Sequence, residues 1–151
     1  MKGKDWFSIA IPFAAGLLLA AAGWLIMDVK SAWYLGLKQP PFALAIGPQI
    51  AWAGIYCFLA AAGALLWERG YERYLLWLGL DGLIGLAHNL VLFQLHDLVI
   101  GLLLLALAAG LAAFLIRKLW TRTVGPALLL TLPFIYMVYG LAVQYCVIMI
   151  N

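Results

Sequence analysis

SAWYLGLKQPPFALAIGPQIAWAGIY, residues Ser31 to Tyr56, is where a chain of apolar runs is interrupted. It holds the dense proline cluster Pro40, Pro41 and Pro48, with Trp33, Tyr34, Phe42, Trp52 and Tyr56 around it. Two adjacent prolines do not fit inside a regular helix, because each lacks an N–H and restricts the residue before it. Ser31 to Ala45 is therefore expected to be a structured loop between two helices. At about fifteen residues it is longer than most helix connections, and such loops are usually functional or disordered. A disordered linker would be polar. This one is apolar and aromatic, so it should pack over something.

Both flanks of the loop are apolar, and composition explains why. Of 151 residues 68% are hydrophobic and only 10% charged, and the mean hydropathy is +1.07. A soluble domain of this size has no core large enough to hide so much apolar surface, whereas lipid accepts it. A helix crosses a bilayer core with about 20 apolar residues. The sequence offers five such runs: Phe7 to Met27, Ile46 to Trp67, Tyr74 to Leu95, Leu98 to Ile116 and Val124 to Ile150. The fold class predicted is an all-α membrane protein, a single bundle of five transmembrane helices over residues 1–151. Lys2, Lys4 and the following apolar run resemble a signal peptide, but the run is longer than a leader's apolar core and is expected to remain as a span.

Basic residues set the orientation. With five spans, Lys2, Lys4, Arg69, Arg73, Arg117, Lys118 and Arg122 share one side, and only Lys30 and Lys38 lie on the other. The expectation is a cytoplasmic N-terminus with the proline-rich loop and the C-terminus across the membrane. This asymmetry accounts for the net charge of +3 without a nucleic-acid partner.

Within the spans, a few residues stand out. Gly16, Ala20 to Ala22 and Gly23 in the first span, and Ala106, Ala109, Gly110 and Ala113 in the fourth, carry the small-residue spacing that lets helices approach closely in lipid. Trp33 and Tyr34 are read either as interfacial anchors or as ligand-facing. Trp52 and Tyr56, four apart, share a helix face beneath the loop. In the third span Asp81 and His88 share a face with Gly82, Gly85 and Asn89 nearby. Ionisable residues in a span are costly and usually face the bundle interior or a water-filled cavity, so the face reads as a polar helix contact, a glycine-lined dimer seam or a functional site. In the fifth span Pro133 should bend the helix, and Tyr136, Tyr139 and Gln144 roughly share a face. Cys57 and Cys146 read as small apolar residues. His88 and His96 have no neighbouring cysteine, and no zinc cluster, phosphate-binding glycine loop or Ser-His-Asp set is present. Neither a metal site nor a catalytic residue is expected. What remains is an aromatic, mostly apolar pocket of the kind that takes a small molecule.

Trp33-Tyr34, Leu37, Lys38, Pro40 and Phe42 resemble the WYxxLxKPxW signature of the translocator protein / tryptophan-rich sensory protein (TspO/MBR) family. Gly47-Pro48 and Trp52 to Tyr56 look like that family's second-helix motif. Leu132-Pro133-Phe134 through Val143-Gln144 to Ile150-Asn151 resembles its closing pattern. The departures are a lysine one place early, Phe42 for the second Trp, Leu44 and Ala45 for a Pro-Pro pair, and Ala87 to Leu90 where Asn-x-x-Trp is usual. Tyr136 or Met137 takes the place of the last-helix Trp, and Gln144 that of an Asn.

The resemblance implies a five-helix bundle, often a homodimer, with a pocket opening toward the loop. It further implies a membrane receptor or translocator for tetrapyrroles (protoporphyrin IX, haem) or sterol-like molecules in a bacterial cell membrane, with a sensory or regulatory role. Porphyrin or haem would be its ligand, and no cofactor is required. Carried over residue by residue, the pocket comprises Tyr34, Pro40, Phe42, Trp52, Tyr56, His88, Asn89, Tyr136, Tyr139 and Gln144. Two alternatives stand beside it. One is a proton-coupled transporter using Asp81 and His88. The other is a light-dependent porphyrin-degrading enzyme, for which only Trp52 retains a pocket tryptophan.

Overall fold

Backbone groups inside a bilayer must be satisfied within the segment that carries them, and for a single apolar run the helix does this. The computed structural model describes residues 6–44 and 46–151, with side chains from Ala10 onward, and every regular element among them is helical. Lys2, Lys4 and the loop's last residue, Ala45, lie outside the described residues. The helices are α1 (Trp6–Ile26), α2 (Ala32–Gly36), α3 (Pro48–Glu68), α4 (Leu75–Phe93), α5 (Leu98–Trp120) and α6 (Val124–Ile150), with a 3₁₀ turn at Glu72–Tyr74 leading into α4. Four stretches are long and apolar enough to cross a membrane: Pro48–Glu68, Glu72–Phe93, Leu98–Trp120 and Val124–Ile150. To these α1 adds a shorter apolar stretch, Ala10–Ile26.

The five long helices form a ring. Helix α1 packs on α3, α3 on α6, α6 on α5, α5 on α4, and α4 returns to α1, with α3 and α4 also touching across the interior. Small residues let them close. Gly16 of α1 presses on Ala60 of α3 so tightly that no side chain fits between them, which is how apolar helices gain packing in lipid. Leu66, Leu115, Leu119 and Leu130 fill the interior. Leu18, Leu25, Leu76 and Met149 point outward and are more than half exposed, which a bilayer accommodates and water would not.

Two features differ from the sequence expectations. The stretch read as loop contains a short helix, α2, capped by Ser31: its Oγ accepts from the Tyr34 N–H at 3.2 Å and donates to the Asp28 carbonyl at 3.0 Å. The fourth helix does not stop at Ile116 but runs to Trp120, because Arg117 and Lys118 lower hydropathy without breaking helical backbone. Gly82 and Gly85 serve helix packing within the ring, one of the readings open to that face. Both are buried inside the ring, where a side-chain carbon at Gly82 would lie 2.9 Å from Leu19 Cδ1 and one at Gly85 2.7 Å from Trp52 Cζ3. Pro133 lies buried within a helix that is continuous through it.

Candidate functional site

At the end of the ring where the long connection crosses, the helices enclose a cavity of about 140 Å³. Its construction begins at the prolines. Ala43 N–H donates to the Pro40 carbonyl at 2.9 Å, closing a turn with Pro41 at the position where a fixed φ is most useful. That turn folds the loop back over the bundle.

The loop is then tied down on several sides. On α6, Asn151 accepts from the Lys38 N–H at 2.9 Å and donates to the Lys38 carbonyl at 3.1 Å. The Tyr139 hydroxyl accepts from the Leu44 N–H at 2.6 Å and donates to the Phe42 carbonyl at 3.2 Å. On the α4–α5 turn, Trp33 stacks on His96 with centroids 4.3 Å apart and planes at 19°, and Tyr34 meets Phe93 at 5.3 Å. The last carbonyls of α1, which have no partner within their own helix, are taken by side chains of neighbours. Gln94 donates to the Ile26 carbonyl at 2.6 Å and Gln49 to the Met27 carbonyl at 2.9 Å.

Beneath the loop the walls are aromatic. Tyr34, Trp52, His88, Tyr136, Tyr139 and Gln144, six of the ten residues expected at the site, line the cavity. Trp52 sits 5.3 Å from the His88 ring, and Tyr136 5.8 Å from Tyr139. His88 Nδ1 lies 2.8 Å from the Gly101 carbonyl. A carbonyl only accepts, so Nδ1 carries the hydrogen and, in the neutral ring, Nε2 keeps the lone pair. Gln144 donates to the Leu98 carbonyl at 2.8 Å. Gly101 makes room for both polar side chains: a carbon placed on it would lie 2.9 Å from Gln144 Nε2 and 3.8 Å from His88 Nδ1. Burial pushes the Tyr34 phenol above its ordinary pKa, so it stays a neutral hydrogen-bonding group at the cavity mouth.

The other four expected residues lie elsewhere. Phe42 points outward, half exposed, and only its carbonyl serves the site. Pro40 is buried in the loop turn and does not line the cavity. Tyr56 and Asn89 are buried one layer deeper, beyond Trp52. The Trp52 indole edge lies against Gly85, and the Tyr56 hydroxyl reaches the same notch. Tyr56 and Asn89 approach each other without meeting hydrogen-bond geometry, and their polar side-chain atoms, with both carboxyl oxygens of Asp81, have no hydrogen-bond partner among the described residues. Asp81 is 1% exposed and does not pair with His88, which is turned to Gly101 and Trp52.

Sequence reasoning passed over Phe93 and Gln39, which also line the cavity, as does Met137, named there only as an alternative to Tyr136. Phe93 is one turn beyond Asn89 on the stripe Asp81, Gly85, Asn89, and that spacing was available as a signal. Gln39 offered none. Trp33, left between anchor and ligand contact, is a loop fastener.

The chain belongs to the TspO/MBR family, whose family model matches residues 8–149, nearly the whole sequence. No curated protein matches it. Membership together with four helices of spanning length marks it as an integral membrane protein of a family of membrane receptors and translocators.

Proposed function

We propose that this member of the TspO/MBR family takes a flat, largely apolar small molecule in the cavity under the loop, with a tetrapyrrole such as protoporphyrin IX or haem as first choice and a sterol-like molecule as second. Its role would be sensory or regulatory. The observation that carries the reading is the tied-down aromatic loop over an aromatic cavity. Ring faces suit stacking on a macrocycle, while Gln144 and the free nitrogen of His88 suit its polar edge. The cavity, at about 140 Å³, is small beside the roughly 300–1,000 Å³ of small-molecule sites. Macrocycle binding therefore requires the loop to lift, and the fasteners at Asn151, Tyr139 and His96 become the gate. Titrating purified protein with protoporphyrin IX and following tryptophan fluorescence is the direct test. Saturable quenching is expected, and its absence would overturn the reading.

We take α1 as the fifth span, with the N-terminus cytoplasmic in a bacterial membrane, from the basic-residue asymmetry. In a variant lacking Cys57 and Cys146, cysteines placed at Lys38 and Arg122 should label from opposite sides. Labelling of both from one side would overturn that topology.

One observation favours a second reading, proton-coupled transport. A carboxyl group with both oxygens unpartnered at membrane depth is costly, and an intramembrane acid is by default a functional residue. Asp81, within electrostatic reach of Tyr56, would then carry the proton, with His88 on a separate branch. Asp81→Asn should abolish uptake into vesicles while leaving protoporphyrin affinity intact. If affinity falls as well, Asp81 acts by holding the helices.

A further inference from the structure

We propose that the outer groove between α5 and α6, at the end of the bundle opposite the loop, binds an anionic phospholipid, with an acyl chain on its apolar floor and the phosphate against Arg117. This inference is independent of the ligand assigned to the enclosed cavity. The groove has a volume of about 650 Å³, within the range of small-molecule sites, and lies open on the membrane-facing surface. Its floor is Ala113, Ile116, Leu128 and Phe134, and Arg117 and Trp120 stand at its rim. Of the two threonines that line it, Thr121 lies at the rim beside Trp120, and Thr131 turns its hydroxyl onto the Ala127 carbonyl of its own helix at 3.0 Å, so the floor offers little to a polar ligand.

The rim supplies what the floor lacks. Trp120 is half exposed in the last turn of α5, where indole rings sit at headgroup level. Arg117 lies three residues earlier, and its long stem lets the guanidinium reach up to the phosphate while its methylenes cover apolar surface. Three other cations at this end are engaged: Arg69 donates to Thr123 Oγ1 at 2.6 Å, Arg73 lies over the Tyr74 ring at 5.0 Å and Lys118 over the Phe114 ring at 5.7 Å, while Arg122, in the turn beyond, is not among the residues that line the groove. Arg117 has no ion pair or hydrogen bond with a described residue, and no carboxylate lines the groove. An unpaired guanidinium above an apolar slot in a bilayer complements a negatively charged headgroup on an acyl chain, and basic pockets between spans recognise anionic lipids in this way.

Native mass spectrometry of the purified protein, released from detergent with equal amounts of phosphatidylglycerol and phosphatidylcholine, tests it. Wild type should retain phosphatidylglycerol about fivefold over phosphatidylcholine, the preference expected of one basic side chain near the headgroups. Arg117→Gln, at an exposed position with no partner among the described residues, should bring the ratio near one with an unchanged unfolding temperature. Ala113→Trp, which fills the floor, should cut retention of both lipids, and if that variant does not fold, Arg117→Gln decides alone. Equal retention of the two lipids by wild type, or a preference that survives Arg117→Gln, overturns the proposal. So does displacement by inorganic phosphate alone, which would reduce the site to an anion contact, or protection of the groove that rises with protein concentration, which would assign it to a second copy of the chain.

Discussion

The two ends of this bundle are built from the same apolar helices and are closed in different ways. At the basic end the connections are minimal: Arg69–Tyr71 between α3 and the 3₁₀ turn, and Thr121–Thr123 between α5 and α6. Polar side chains fasten those two turns to each other, Arg69 to Thr123 and the Tyr71 hydroxyl to the Arg122 carbonyl at 3.2 Å. Short turns cover nothing, so the space there is an open groove on the outside of the ring. At the opposite end, residues 27–44 run across the mouth, and aromatic rings and side-chain-to-backbone hydrogen bonds hold them over the cavity. Connection length and chemistry, rather than the helices, determine which end of the bundle is covered.

The largest effect expected from breaking this contrast is at Gly85. It is the notch into which Trp52 fits, and a side chain there must displace a buried indole already 2.7 Å from the new carbon. Gly85→Leu should destabilise the protein by about 3 kcal/mol or more, at or above the usual range for overpacking, read as a lowered unfolding temperature in detergent. Gly110→Leu is the counterpart on the lipid-facing side of α5, where nothing lies within 4 Å. It should change stability by less than about 1 kcal/mol and in the favourable direction, through helix propensity. If the two substitutions cost the same, the ring is looser than its packing implies.

Trp52 comes next. It forms the wall between the cavity and the buried polar layer of Tyr56 and Asn89, and it is the ring a flat ligand would stack on. Trp52→Ala should weaken protoporphyrin IX binding by about 1–3 kcal/mol, the scale of one buried aromatic contact. Trp24→Ala removes a half-exposed ring on the outside of α1 and should leave affinity unchanged. Equal affinity in wild type and Trp52→Ala would return the aromatic cluster to a membrane-anchoring role.

How far the sequence carried follows from where its signals are local. Helical runs are local, and hydropathy placed each long helix; it cut α5 short because it measures charge, to which helical backbone is indifferent. Helix α2 was hidden because five residues are too few to show a period, although Ser31 was visible as a cap. The site was half legible. Trp52, His88, Tyr136, Tyr139 and Gln144 sit on helix faces that spacing identifies, Tyr34 was named by the resemblance, and the six converge. Phe42 and Tyr56 carry equally suggestive side chains, yet one turns outward and the other lies a layer too deep, because loop direction and helix depth are set by packing against other elements. The fasteners Gln49 and Gln94 left no trace, and Asn151 showed only as the end of the closing pattern, since each reaches the backbone of a distant segment and no residue-type pattern records that.

The smallest expected effect separates strain from stacking in one turn. Gly70, at the basic end, takes φ +77° without steric penalty because it has no Cβ, whereas His96, at the loop end, holds φ +57° with a full side chain. A non-glycine residue there costs on the order of 1 kcal/mol and persists when its surroundings demand it. Here the demand is the stack of Trp33 on the imidazole at 4.3 Å, which contributes roughly 0.5–1.5 kcal/mol. His96→Gly removes both, so stability should shift by less than about 1 kcal/mol, with the greater chain entropy of glycine as the residual cost. His96→Ala keeps the strained backbone, loses the stack and should be the less stable of the pair. Both release Trp33 and with it one side of the loop, so both should raise the protoporphyrin off-rate a few-fold by stopped-flow fluorescence, in a step where most affinity differences reside. An off-rate unchanged in both variants would place the hold on the loop at Asn151 and Tyr139 alone, and the α4–α5 turn would then belong to the scaffold rather than to the gate.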